Sequence, residues 1–257
     1  MTWAIDIGNT QTVVGIWDGE AWRAMWRLDT DRHRTEDELA VHLEALCRLD
    51  GIPFEAEAVI GASVVPQAMD AVTRLFADRF GVITAWLVNG AQVGLPVTYD
   101  PPHAVGADRI ANALGALALY HAPVVVVDFG TATTFDVVDR NGAYAGGAIL
   151  PGVIVSMEAL ASRAAKLPQI ALREPARAIG RNTVESLESG VLFGAAGAIE
   201  ELAARISDEL GSPPTILATG GLGEVFARLC PSIHRYCATL TLDGLIIALD
   251  RMRDEAA

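Results

Sequence analysis

The feature that most constrains this chain is an internal repeat. Residues 4–18 read AIDIGNTQTVVGIWD, and residues 124–139 read VVVVDFGTATTFDVVD. Aligning Asp6 with Asp128 also aligns the residues that follow, Gly8 with Gly130, Thr12 with Thr134 and Val13 with Phe135. A repeat of this kind indicates a duplicated domain. Each half is predicted to open with a strand, an Asp-x-Gly turn and a second strand antiparallel to the first.

A hairpin signal follows each copy of the repeat. Asp18-Gly19 follows the first copy and Asn141-Gly142 the second, and such dipeptides supply the positive φ angles of a type I′ turn. Further along, short apolar runs alternate with stretches of helical periodicity. This alternation predicts an α/β fold, in which helices cover a parallel or mixed sheet. We place the two domains at residues 1–117 and 118–257.

Helix starts are marked by two capping-box patterns, Thr35 with Glu38 and Asn182 with Glu185. Another helix is predicted from Val153 to about Ala165. The helix after Asn182 contains three glycines, Gly190, Gly194 and Gly197. Because glycine lowers helix propensity, these residues indicate that another backbone approaches the helix closely.

Composition argues against several classes of function. A net charge of −13 is unsuited to a nucleic-acid or anionic-membrane surface, because a phosphate backbone requires a basic face. The most apolar window, residues 110–127, contains Pro123 and is predicted to form a helix and a strand, with no membrane span. The first residues show no export signal, so a cytoplasmic location is expected. The cysteines fit neither a disulfide framework nor a zinc site: Cys47, Cys230 and Cys237.

The two Asp-x-Gly turns are the first candidates for chemistry. Their glycines let the backbone approach a phosphate, while hydroxyl and N–H groups face its oxygens. A carboxylate repels a bare phosphate but suits the cation that accompanies one. Taken singly, each Asp could simply cap a turn. The repetition at matching positions favours a pair of phosphate sites that hold a nucleotide.

Asp108 is the second candidate, since it opens an alanine-rich helix beside Arg109. On local spacing alone, the favoured interpretation is a carboxylate that interacts with the helix dipole. The functional alternative is that Asp108 accepts the proton of a substrate hydroxyl that attacks a γ-phosphate, for which an ordinary aspartate pKa would leave it ionised at neutral pH. The Gly220-Gly221 turn is a weaker candidate for backbone close to a ligand. On local spacing alone, Thr183 is a helix-start residue.

Longer motifs resemble a known family. DIGNT at residues 6–10 resembles the phosphate-binding turn of the actin, hexokinase and Hsp70 superfamily, whose fold is a pair of duplicated ribonuclease-H-like domains with a nucleotide cleft between them. Further motifs resemble type III pantothenate kinases, in order and over nearly the whole chain: Tyr99-x-x-Pro102, GADRIANA at 106–113, VDFGTATTFD at 127–136, GGAILPG at 146–152 and NTVESLESG at 182–190. DFGTATT together with GADR is far more specific than the superfamily turn.

The resemblance implies ATP-dependent phosphorylation of the primary hydroxyl of pantothenate, the first step of coenzyme A synthesis. Asp108 would be the catalytic base. Four residues of the first turn would bind the ATP phosphates: Asp6, Gly8, Asn9 and Thr10. Asp6 would also hold magnesium through water. Thr131 would contact ATP, and the Gly220-Gly221 turn is added to the ATP site on local grounds.

The resemblance also implies a pantothenate site, a second cation and a homodimer. Pantothenate would be contacted by Tyr99, Gly106, Ala107, Arg109 and Thr183. Asp128 would bind a monovalent cation, potassium or ammonium. In the family the neighbouring subunit completes the substrate pocket, and Thr183 could act there.

Two other functions remain open at this point. Relatives of the family have been described as accessory factors for gene expression, so the chain could be a non-catalytic homologue. It could also be a kinase of the same superfamily that acts on another small hydroxyl substrate. The first alternative is disfavoured by three carboxylates suited to catalysis and cation binding, Asp6, Asp108 and Asp128. The GADR segment argues against the second alternative.

Overall fold

The computed structural model describes residues 1–164 and 167–256. Its strands, in chain order, are β1 Thr2–Ile7, β2 Gln11–Trp17, β3 Trp22–Asp29, β4 Ala58–Ser63, β5 Thr84–Trp86, β6 Val124–Phe129, β7 Ala132–Val138, β8 Tyr144–Pro151, β9 Thr215–Gly220 and β10 Arg235–Tyr236. Its α-helices are α1 Glu36–Asp50, α2 Pro66–Phe80, α3 Ala107–Leu119, α4 Val153–Arg163, α5 Thr183–Leu210, α6 Gly223–Leu229 and α7 Leu240–Ala256. Short 3₁₀ helices span Gly90–Val93 and Pro102–Ala104.

The chain divides into two compact units, Met1–Gly115 with Leu240–Ala257, and Ala116–Thr239. Each unit contains a five-stranded mixed sheet, ordered β3-β2-β1-β4-β5 in the first unit and β8-β7-β6-β9-β10 in the second. In both sheets the first three strands form an antiparallel meander, and the remaining two strands pair in parallel. The predicted α/β fold with a duplicated domain is confirmed.

Alternation along the first strand of each sheet separates the core from the candidate site. In β1 the buried residues Trp3, Ile5 and Ile7 pack with apolar residues of α1 and α2. In β6 the corresponding face is formed by Val125, Val127 and Phe129, which pack with residues of α5 and α6. Because successive side chains point to opposite faces of a strand, the two candidate carboxylates project away from these cores. Burial of each large apolar side chain contributes about 1.5–3 kcal/mol.

The two Asp-x-Gly turns differ in length. The Gly8 N–H donates to Gln11 O (3.0 Å) across two intervening residues. In the second unit the Gly130 N–H donates to Ala132 O (3.0 Å) across Thr131 alone. The second turn is therefore one residue shorter than the first.

The shorter turn shifts the register of the repeat. Asp6 pairs with Val13, whereas Asp128 pairs with Thr134. Phe135, which the ungapped alignment places on Val13, instead lies in the core of the second unit. The sequence alignment of β2 with β7 is thus wrong by one residue, because it carries no gap at the turn.

The hairpins that follow are not the predicted type I′ turns, which require two positive φ angles. Gly19 has φ 106° and Gly142 has φ 77°, but no non-glycine residue in the described chain has a positive φ. Carboxylates hold these turns, since Asp18 accepts from the Glu20 and Ala21 N–H groups, and Asp139 accepts from the Asn141 and Ala143 N–H groups. The loop between β7 and β8 is one residue longer than the loop between β2 and β3, and this extra residue offsets the shorter Asp-x-Gly turn of the second unit.

Most helix signals are confirmed, with local differences. Thr35 and Glu38 form the predicted capping box of α1. Asn182 caps α5, but the Glu185 carboxylate accepts from the Arg181 N–H instead of the cap's own. The α4 helix ends at Arg163, and the predicted end at Ala165 lies outside the described residues. No described atom lies within 4 Å of a methyl group added at Gly190, Gly194 or Gly197, so the close backbone approach expected there is not found within the described chain.

The last helix, α7, belongs to the first unit and contacts β1 and β4. The predicted boundary near residue 117 stays a prediction. The predicted second domain, 118–257, would also include α7, but this helix packs with the first unit. Hydrogen bonds tie α7 to the first unit: Thr241 Oγ1 to Asn112 Oδ1 (2.7 Å), Trp22 Nε1 to Asp243 Oδ1 (2.7 Å) and Arg251 to Val93 O (2.8 Å). At the crossing of α7 with α3, a methyl group at Gly244 would collide with the Ala111 carbonyl.

Gly244→Ala is expected to destabilise the protein by about 1–3 kcal/mol, because the added methyl group overpacks this crossing. The matched control is Gly190→Ala, a helical glycine with open space, which should gain up to about 1 kcal/mol from higher helix propensity. Urea unfolding midpoints of the two variants should move in opposite directions. A midpoint that rises in both variants would contradict the close packing of α7.

Candidate active site

The first Asp-x-Gly turn lies where two parallel strands end. Ile7 of β1 is paired with Ser63 of β4, and ligands of α/β sheets bind outside such carboxyl ends. Asn9 and Thr10 are exposed at the tip of the turn, while Asp6 is partly buried on the strand below. A methyl group at Gly8 would lie 2.9 Å from Gln11 O, so this tight turn favours glycine. The turn therefore presents exposed backbone and hydroxyl groups above a carboxylate.

Asp108 lies in the first turn of α3, in the same unit. Its Oδ1 accepts a hydrogen bond from the Arg109 backbone N–H (2.9 Å), and it folds back over Gly106. Burial raises the pKa of the Asp108 carboxyl above its ordinary value of 3.8, and the Arg109 N–H and guanidinium oppose this shift. The ordinary pKa expected from the sequence is thus corrected. A higher pKa makes the carboxylate a stronger proton acceptor.

The predicted pantothenate residues of the first unit lie on one continuous segment. Tyr99 is partly buried in the loop before the Pro102–Ala104 turn. Ala107 is buried at the start of α3, and Arg109 is partly buried beside the candidate base. The segment therefore carries the ring of Tyr99, the guanidinium of Arg109 and the carboxylate of Asp108. These groups suit a phosphoryl acceptor that has both an anionic group and a hydroxyl.

In the second unit, Asp128 and Gly220 are in direct contact. The strands β6 and β9 are parallel, with Asp128 opposite Thr219. Gly220 has φ 84°, and a methyl group there would lie 2.5 Å from Asp128 Oδ1. The Gly221 N–H donates to Phe129 O (3.0 Å). The structure therefore brings the predicted Gly220-Gly221 turn against the candidate cation ligand.

Thr131 forms the tip of the second turn and is contacted by a residue without a predicted role. The Gly152 N–H donates to Thr131 O (3.1 Å), and a methyl group at Gly152 would lie 2.7 Å from Gly130 O. Gly152 belongs to the GGAILPG motif, so a sequence signal existed, but its contact with Thr131 depends on the sheet. Thr183 is the exposed first residue of α5, and no described hydrogen bond places it with Thr131 or Asp128.

Within the described ranges, no group of three or more His, Cys, Asp or Glu side chains is placed to hold a metal ion. A cation at Asp6 or Asp128 would therefore draw most of its ligands from phosphate, water, hydroxyl or backbone oxygens, which magnesium accepts readily. Across the same residues, no helix is both long and apolar enough to cross a membrane.

Comparison with solved structures defines the class of fold. The fold is similar to a conserved putative Baf family transcriptional activator from Campylobacter jejuni, with a TM-score of 0.62 and 19% identity over 98% of this chain and 99% of that one. It is also similar to a ROK family glucokinase from Streptomyces griseus, with a TM-score of 0.50 and 16% identity over 98% and 99% of the two chains. The chain thus has the two-domain α/β fold of actin-like ATPases and hexokinases.

Relatives of higher identity define the family. The family model for type III pantothenate kinase matches residues 3–205. The type III pantothenate kinase of Thermomicrobium roseum is 48% identical over 253 residues, 98% of each chain. That of Myxococcus xanthus is 43% identical over 252 residues, again 98% of each chain. The chain belongs to the type III pantothenate kinase family, and the recognition made from its motifs is confirmed.

Proposed function

We propose that this chain catalyses transfer of the γ-phosphoryl group of ATP to the primary hydroxyl of pantothenate, the first step of coenzyme A synthesis. The observation that carries this function is 48% identity to a type III pantothenate kinase over 98% of both chains. The same match argues against a kinase for another acceptor. The test is a coupled assay of ADP release with ATP and pantothenate. No pantothenate-dependent release would overturn the function.

The reaction requires one proton acceptor, and Asp108 supplies it. The pantothenate hydroxyl oxygen bonds to the γ-phosphorus, the bond from this phosphorus to the bridging oxygen breaks, and ADP leaves. The hydroxyl proton passes to the Asp108 carboxylate. The hydrogen bond from the Arg109 N–H orients this carboxylate, and partial burial keeps its proton affinity high.

The first turn is proposed to receive the phosphates of ATP through Gly8, Asn9 and Thr10. Their backbone lies at the end of β1, and Asn9 and Thr10 are exposed at the tip of the turn, while the Gly8 N–H holds the turn by donating to Gln11 O. Asp6 would hold magnesium through water, since its carboxylate oxygens are the ligands that magnesium prefers. Magnesium, when bound, neutralises charge on the phosphate chain.

The remaining roles are proposed from the family motifs. Tyr99, Gly106, Ala107 and Arg109 would contact pantothenate, and the charge of Arg109 matches its carboxylate. Thr183 would join the substrate pocket of a homodimer, which we place in the cytoplasm. Its exposure at the start of α5 leaves its hydroxyl accessible for such a role.

Asp128 is proposed to bind a monovalent cation, potassium or ammonium, with Thr131 and the Gly220-Gly221 turn contacting ATP. The Asp128 carboxylate and the Phe129 carbonyl both lie close to Gly220, and they would supply oxygen ligands of the kind that potassium accepts. Both lie next to the second turn, where such a charge would favour anionic phosphate.

Replacing potassium with sodium is expected to lower kcat by roughly tenfold, equivalent to about 1.4 kcal/mol of activation free energy. Asp128→Asn should be slow in both salts and should lose the difference between them. Steady-state rates at constant ionic strength measure the effect. A wild-type enzyme that is indifferent to the two cations would remove this role from Asp128.

A further inference from the structure

Each Asp-x-Gly turn is held by the residue that immediately follows the third strand of its sheet. In the first unit the Thr30 N–H, directly after β3, donates to Thr10 O (2.9 Å). In the second unit the Gly152 N–H, directly after β8, donates to Thr131 O (3.1 Å). The two contacts occupy the same place in the duplicated topology. The bond is present in both units although the two turns differ in length by one residue, which indicates that the turn requires it.

The strand register shows that the two residues are equivalent. Gln11 pairs with Asp29 at the end of the first meander, and Ala132 pairs with Pro151 at the end of the second. The next residue along the third strand is Thr30 in one unit and Gly152 in the other. Each therefore sits one step beyond the sheet, beside the turn that opens its unit.

The two copies hold their turns by different means. Thr30 adds a side-chain contact, since its Oγ1 lies 2.9 Å from Thr12 Oγ1 at the start of β2. Gly152 has no side chain, and a methyl group there would collide with Thr131 O and lie 2.7 Å from Gly130 O. Thr30 thus contacts the first turn at Thr10 of its exposed tip and at Thr12 just after it, while the second turn allows close backbone approach.

We propose that Thr30 and Gly152 are positioning residues that hold the two turns in the shape that receives ATP. The proposal rests on the ATP-binding roles given above to Thr10 and Thr131. Neither residue needs to touch the nucleotide. The Thr30 side chain acts through the Thr12 hydroxyl, next to the backbone bond that the Thr30 N–H donates to the Thr10 carbonyl. Gly152 acts through the Thr131 carbonyl, at a point where a side chain would collide with it.

The test compares Thr30→Val, which keeps the shape but removes the hydroxyl, with Thr30→Ser, which keeps the hydroxyl. Loss of one hydrogen bond should weaken magnesium ATP binding about three- to tenfold in the valine variant, and serine should restore it to within about twofold. Equilibrium binding without pantothenate measures this directly. Binding is then separate from turnover, so failure of the kinase assay and failure of this proposal are distinguishable.

Thr73→Val is the matched control. The Thr73 hydroxyl donates to Met69 O (2.9 Å) and accepts from Trp86 Nε1 (3.2 Å), and it has no role in the proposed site. It should lower the thermal midpoint without changing ATP affinity. Equal ATP affinity in Thr30→Val and the wild type would overturn the proposal, as would a loss that Thr30→Ser does not recover.

Gly152→Ala tests the second turn. The added methyl group should weaken ATP binding more than tenfold, while the KM for pantothenate changes less than the KM for ATP. The control is Gly142→Ala in the same unit, where no described atom lies within 4 Å of the added methyl group. Unchanged ATP affinity in a folded Gly152→Ala protein would overturn the proposal for this turn. A variant that does not fold would overturn it as well, because Gly152 would then be required for folding and not for the shape of the ATP site.

Discussion

Asp108→Asn is expected to reduce kcat with pantothenate by about 10²- to 10⁴-fold, the usual contribution of a positioned general base. The asparagine keeps an oxygen that can accept from the Arg109 N–H, now 2.9 Å from Asp108 Oδ1, so the local geometry is preserved. Affinity for ATP should stay within about twofold. Single-turnover rates and equilibrium ATP binding separate the two effects.

The raised pKa of Asp108 predicts how the variant should respond to pH. A carboxyl whose folded pKa lies above its unfolded value stabilises the fold at low pH, and this stabilisation is lost as pH rises through the folded pKa. At neutral pH the ionised Asp108 therefore opposes folding, and Asp108→Asn should be at least as stable as the wild type. The acid limb of kcat/KM should lie above pH 3.8, the ordinary aspartate value, and should disappear in the variant.

The control for this result is Asp70→Asn, which removes an exposed carboxylate from α2. Its rate and pH profile should match those of the wild type. Turnover of Asp108→Asn within a few-fold of the wild type would exclude Asp108 as the base. A loss of ATP binding equal to the loss of rate would instead assign the residue a structural role.

Gly220→Ala is expected to destabilise the protein by about 2–5 kcal/mol, from a left-handed backbone angle and overpacking together. Gly220 has φ 84°, and an added methyl group would lie 2.5 Å from Asp128 Oδ1 and 2.7 Å from the Phe129 backbone. Asp128 would have to move, so ATP affinity and the potassium dependence should fall with stability. Urea unfolding and nucleotide titration measure the two effects.

Gly142→Ala separates the two causes. Gly142 has a similar φ of 77°, but among the residues that the structure describes no atom lies within 4 Å of an added methyl group. Its cost should therefore be limited to about 1–2 kcal/mol of backbone strain, with ATP affinity unchanged. If both variants lost equal stability and both kept full ATP affinity, the contact between Gly220 and Asp128 would have no functional weight.

The repeat predicted the order of strands and turns in both units but not the register in which the strands pair. The β-branched run before Asp128 and the glycine after it specify a buried strand and a turn, and both are found. The turn at Thr131 is one residue shorter than its counterpart in the first unit, and the next hairpin is one residue longer, so the spacing after the hairpin is the same in both copies. The sequence comparison therefore did not reveal the shorter turn. An ungapped alignment cannot distinguish these two changes, whereas hydrogen bonds across the sheet count residues directly.

By itself, the sequence determined the class of fold, the family and the identities of the candidate carboxylates, because strand alternation, glycine turns and family motifs are local patterns. Only the tertiary structure decided that α7 packs in the first unit, that burial raises the pKa of Asp108, and that the Thr30 and Gly152 N–H groups donate to the two turns. Desolvation and close packing depend on atoms that lie far apart along the chain. No local pattern specifies which of them meet.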